Sequence, residues 1–85
     1  MDKIIVTVTN QKQQFFIDIE VPTNRPIQML KEDIKEALQG YDPDRFGNAS
    51  YVELYCNRLS RHLLPDDTME SVGAWNGDYI TLFGV

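Results

Sequence analysis

The chain holds one cysteine, Cys56, and one histidine, His62. A lone thiol cannot close an internal disulfide, so a reducing compartment is the simpler expectation. Long apolar runs are also missing. The first strand-like segment reaches Ile4-Ile5-Val6 before a polar residue interrupts it, far short of a bilayer span. The N-terminus lacks the basic start and apolar stretch of a secretory signal. Positive charge is scarce: eight basic residues face thirteen acidic ones, for a net charge of −5. Such a chain repels phosphate backbones and anionic lipid, which argues against nucleic acid and against direct membrane insertion. There is no glycine-rich phosphate cradle and no pair of carboxylates spaced for acid–base work. Internal repeats, low-complexity stretches and linkers are absent. These absences lead us to expect a cytoplasmic, monomeric protein with no cofactor and no metal.

What is present is ordinary globular composition over 85 residues, enough for a single domain, 1–85, built as two layers around one core. Lys3–Thr9 alternates as a strand, with Ile4, Val6 and Val8 on one face. A polar loop at Asn10–Gln14 predicts a hairpin into Phe15–Val21, where Ile17, Ile19 and Val21 face inward and Asp18 and Glu20 outward. Pro22 is expected to end that strand. The period then becomes helical: Ile27, Leu30, Ile34, Ala37 and Leu38 form one stripe over residues 26–39. Pro26 suits the first turn, Thr23 or Asn24 the cap, and Gly40 the stop. Residues 40–50 read as a long connection. Tyr51–Cys56 alternates again, with Val52, Leu54 and Cys56 inward. Leu63-Leu64 suggests a short strand. Asp67 and Glu70 have the spacing of a capping box for a helical turn at 68–72. Asn76-Gly77-Asp78 turns the chain into a last strand, Tyr79–Phe83, with Ile80 and Leu82 inward.

Hairpin, helix, strand, short strand, helical turn and strand is the order of an α+β β-grasp. Two stretches carry a resemblance to ubiquitin-like proteins. The passage Ile19, Val21, Pro22, Pro26, Ile27, Leu30 resembles their strand-to-helix entry. The run Leu64, Asp67, Met69, Gly73, Ala74 leads into Gly77, Asp78 and Ile80, which resemble their closing segment. Within that group the pattern is similar to the YukD-like (EsaB-like) bacterial proteins of type VII (WXG100, ESX) secretion systems. The resemblance implies a mixed sheet of four to five strands on one helix. It also implies a non-catalytic, non-conjugated protein–protein interaction module, an accessory or regulatory component whose partner is a cytosolic part of the secretion machine. The alternative is a ubiquitin-like modifier or sulfur carrier activated at its C-terminus. Those proteins end in a flexible Gly-Gly, whereas this chain reads Leu82-Phe83-Gly84-Val85, which favours the first reading.

Cys56 and His62 could form a thiol nucleophile and base, but no third orienting group is evident and Cys56 falls on an inward face. Asp42 and Asp44 lack the further oxygen ligands of a calcium loop. Asn48-Ala-Ser50 has the acceptor spacing for glycosylation, a chance match in a cytosolic protein. The informative surface is the outward face of the sheet. Alternation turns Tyr51 and Tyr55 outward on one strand and Thr81 and Phe83 outward on its neighbour, with His62 at the rim. These five residues are the expected partner-binding site.

Overall fold

The computed structural model describes residues 2–48 and 52–84. Its elements are β1 (Lys3–Asn10), β2 (Ile17–Pro22), α1 (Ile27–Tyr41), α2 (Pro43–Phe46), β3 (Glu53–Cys56), β4 (Arg61–His62), α3 (Met69–Val72) and β5 (Tyr79–Phe83). The sheet runs β2-β1-β5-β3-β4. β1 and β5 are parallel neighbours, and the other pairings are antiparallel. This is the expected mixed sheet, with the last strand beside the first.

The stripe of α1 buries Ile27, Leu30, Ile34 and Leu38. They share one core with Ile4, Val6, Val8 and Val21 of the hairpin and with Val52, Leu54, Ile80 and Leu82. Ala37 lies off the stripe and is exposed. Ile17 and Ile19 are only half-buried because β2 is an edge strand.

Five local features depart from the sequence pattern, each for a physical reason. Gly40 does not stop α1, which continues to Tyr41. The stop is Asp42, with φ −147°, because the residue before a proline is pushed out of the helical region and Pro43 follows. Neither Thr23 nor Asn24 caps α1 by its side chain. Instead the Ile27 and Gln28 amides donate to the Asp67 and Pro65 carbonyls at 2.8 and 3.1 Å, so the β4–α3 loop satisfies the helix start. The 40–50 connection is not structureless: Asp42 accepts from the Arg45 amide at 3.2 Å and caps α2, which buries Phe46 against Phe15. The short strand is Arg61–His62, not Leu63-Leu64; Leu63 still donates to the Leu54 carbonyl and is buried, while Leu64 is exposed. α3 is capped by Thr68 with Ser71 reciprocating, one residue later than expected. Asp67 serves the preceding loop, accepting from the Leu64 amide and from Arg61. Pro22 ends β2 as expected, standing as its last residue opposite Lys3, at a position whose nitrogen faces the open edge and loses no ladder bond.

Candidate docking face

Alternation along β3 and β5 decides what the outer face of the sheet carries. With Leu54 and Cys56 inward, Glu53 and Tyr55 point out. With Ile80 and Leu82 inward, Tyr79, Thr81 and Phe83 point out. The register sets Tyr55 opposite Thr81, Glu53 opposite Phe83, and His62 opposite Tyr55. Three strands therefore deliver three rings to one place. The His62 imidazole lies 5.0 Å from Tyr55 and 5.0 Å from Phe83, and Tyr55 lies 6.0 Å from Phe83. The edge-on and tilted contacts are the arrangements that aromatic quadrupoles favour. Tyr55, Thr81 and Phe83 are half-buried and His62 is exposed. Glu53 brings a carboxylate oxygen to 4.0 Å from His62 Nδ1. Thr81 donates its hydroxyl to Asn57 Oδ1 at 2.6 Å, which ties the face to the β3–β4 turn. Of the five expected residues, these four are brought together. Tyr51 lies outside the described residues.

The face extends beyond the five expected residues. Phe16 and Tyr79 place their rings 6.3 Å apart, although they belong to opposite sides of β1. Thr7 pairs with both Asp18 and Tyr79, so the two rings lean toward each other over β1. Phe16, Tyr79 and Ile5 are each about half exposed. The signal for this second pair was the parallel β1–β5 pairing, which adjacent sequence does not display.

An ion pair with its carboxylate buried and its guanidinium reaching solvent braces the end of the sheet beyond Cys56. Asp78, just before β5, is 6% exposed. It accepts from Arg58 Nε at 2.8 Å, from Arg58 Nη2 at 3.0 Å and from the Trp75 amide at 2.7 Å. The same guanidinium donates to the Gly73 carbonyl at 2.7 Å and lies 3.7 Å over the Trp75 ring. Burial pushes the Asp78 carboxyl up, but the Arg58 and Trp75 hydrogen bonds outweigh it and hold the carboxyl below its usual range.

Cys56 sits on the helix side of the sheet, fully buried, with its thiol 4.0 Å from Asp78 Oδ2. His62 belongs to the outer face, so the two do not form a thiol–imidazole pair. A fully buried thiol is shielded from reagents until the chain opens. Iodoacetamide should therefore label Cys56 in the folded protein at least about a hundredfold more slowly than in the urea-unfolded chain, where opening no longer limits access. Equal rates in the two states would mean that the thiol is accessible. Among the described residues, no group of three or more His, Cys, Asp or Glu side chains could hold a metal ion. No helix among them is long and apolar enough to cross a membrane.

No protein-family model and no curated protein matches the sequence. Solved structures match it over nearly its whole length. The EccD5 ubiquitin-like domain from Mycobacterium xenopi superposes with a TM-score of 0.80 at 12% identity, covering 100% of this chain and 97% of that one. The ubiquitin-like domain of the Mycobacterium tuberculosis type VII secretion system protein EccD1 gives 0.73 at 19% identity, covering 96% and 98%. A ubiquitin from Caldiarchaeum subterraneum gives 0.70 at 19% identity, covering 98% and 94%. Together with the strand order and the single long helix, these likenesses give the chain the ubiquitin-like β-grasp fold.

Proposed function

We propose that this protein is a non-catalytic docking module whose outer sheet face binds another protein, in the setting of a type VII secretion system on its cytosolic side. One observation carries the docking: the Tyr55, His62 and Phe83 rings, supplied by three strands, meet on a face that no described element of the chain covers. Tyrosine and other aromatics supply interface energy at little entropic cost, because each combines a large apolar area with few rotatable bonds. The secretion setting draws its support from the likeness to the two EccD ubiquitin-like domains. The YukD-like pattern in the sequence points the same way.

The face would work by desolvation. A partner's apolar side chain would settle among the three rings, and the Tyr55 hydroxyl and the Glu53–His62 pair would supply polar contacts at its rim. Tyr55→Ala should weaken capture of the cognate secretion component at least about tenfold, the scale of a central aromatic in an interface. Its melting temperature should fall by less than about 8 °C, the shift expected from roughly 1 kcal/mol in a domain this size. Calorimetric titration of the purified pair checks this. Affinity equal to that of the parent would reject the face.

A further inference from the structure

Strand β2 forms one edge of the sheet, and its register shows which backbone groups look outward. The Thr23 amide donates to the Asp2 carbonyl at 2.9 Å, and these two residues stand opposite each other when the β1–β2 register is continued by one pair. Bonded and non-bonded pairs alternate along an antiparallel ladder. Val21, Ile19 and Ile17 therefore turn their N–H and C=O groups toward β1, while Pro22, Glu20 and Asp18 turn theirs away. The far side of β1 agrees. Thr7 and Ile5, opposite Asp18 and Glu20, bond toward β5: the Thr7 amide donates to the Asp78 carbonyl at 2.9 Å, and the Ile5 carbonyl accepts from the Gly77 amide at 2.7 Å. Asp18 and Glu20 are both exposed, and no described residue bonds to their backbone groups.

A row of open donors and acceptors is a template for another strand. Side chains decide which strand fits. Asp18, which accepts from the Thr7 hydroxyl at 2.7 Å, and Glu20, 3.8 Å from Lys3 Nζ, set two exposed carboxylates on the outer face of this edge, while Ile17 and Ile19 leave part of their surface uncovered on the helix side. A second copy pairing edge to edge would bring carboxylates opposite carboxylates, which opposes pairing. A strand with Lys or Arg opposite Asp18 and Glu20, and apolar residues opposite Ile17, Ile19 and Val21, satisfies both faces. The net charge of −5 adds long-range attraction for such a segment.

We propose that the β2 edge accepts an extended segment of another protein, alternating basic and apolar residues, as a sixth strand beside the five now in the sheet. This edge lies on the opposite side of the sheet order from β3 and β4, so the proposal stands apart from docking on the Tyr55, His62 and Phe83 rings.

The probe is the peptide acetyl-Val-Lys-Val-Lys-Val-amide, followed by amide NMR on the full chain, with acetyl-Val-Glu-Val-Glu-Val-amide as the counterpart. The basic peptide should shift the Asp18 and Glu20 amides most and slow their hydrogen exchange about tenfold at saturation. Added salt should weaken it, and the acidic peptide should leave the spectrum unchanged. The double variant Asp18→Asn/Glu20→Gln should bind the basic peptide at least about fivefold more weakly, the share of an ion pair at a rim. Asp18→Lys/Glu20→Lys should reverse the preference. Tyr55→Ala should bind as the parent does. Equal binding of the two peptides, largest shifts at Tyr55 and Phe83, no shift at millimolar peptide, or no reversal in the lysine variant would each overturn the proposal.

Discussion

Leu30→Ala is expected to lower the unfolding free energy by about 3–5 kcal/mol, while Met29→Ala, one residue away, changes it by less than about 0.5 kcal/mol. Leu30 is fully buried at the middle of the α1 stripe, and Met29 is 45% exposed on the same turn. Truncating Leu30 removes its transfer free energy and leaves a cavity that β1, β5 and β3 cannot close, since their inward residues are already in contact with one another. A domain of this size holds only about 4–13 kcal/mol in total. The leucine variant should therefore be partly unfolded near 40 °C, whereas the methionine variant melts with the parent. Urea melts followed by circular dichroism check the pair. Equal midpoints for the two variants would mean that α1 does not present the stripe Ile27, Leu30, Ile34, Leu38 to the sheet.

That contrast rests on a feature plain in the sequence, and its neighbours show where legibility ended. A helix of four turns repeats its apolar spacing often enough to reveal its buried face, and a strand of five or more residues reveals its faces by alternation. Alternation alone puts Tyr55, Thr81 and Phe83 on the outer face. A four-residue helix has no period to read, so Phe46, buried in α2, looked like loop. β4 has two residues, and its placement depends on the turn before it, where Ser60 adopts φ 52°. At α3, Asp67 and Thr68 are both capable caps, and only the backbone angles of Thr68 separate them. The propensity of Gly40 points to a stop, but a glycine inside a helix costs only about 1 kcal/mol relative to alanine. Pro43 carried the stronger stop signal. The Phe16–Tyr79 pair depends on β1 and β5 being parallel neighbours, a fact of topology rather than of any local window.

Replacing Asp78 by Asn should destabilise the fold by about 1–3 kcal/mol near neutral pH, the scale for weakening the hydrogen bonds of a buried carboxylate to a solvent-accessible guanidinium. The carboxylate ties three separate pieces of chain: the β3–β4 turn through Arg58, the segment after α3 through the Trp75 amide, and the start of β5 on which it sits. Its carboxyl is held below the usual range in the folded state. The stabilisation is therefore present above about pH 4, where an unfolded Asp is ionised, and is lost as the pH falls through the lower folded value. The stability gap between the parent and Asp78→Asn should be flat from about pH 5 to 8 and shrink below about pH 4. In Arg58→Ala the Asp78 carboxyl loses the hydrogen bonds that most lower it and moves up toward its unfolded value, so the acid-dependent part of the stability shrinks. Trp75, the sole tryptophan, loses its stacked cation in this variant, so its fluorescence reports both the local change and the melt. Acid and urea titrations of the parent, Asp78→Asn, Arg58→Ala and the double variant separate the two terms. A gap that does not change between pH 2 and 6, or an Arg58→Ala profile parallel to that of the parent, would show that the pair does not govern stability at this end of the sheet.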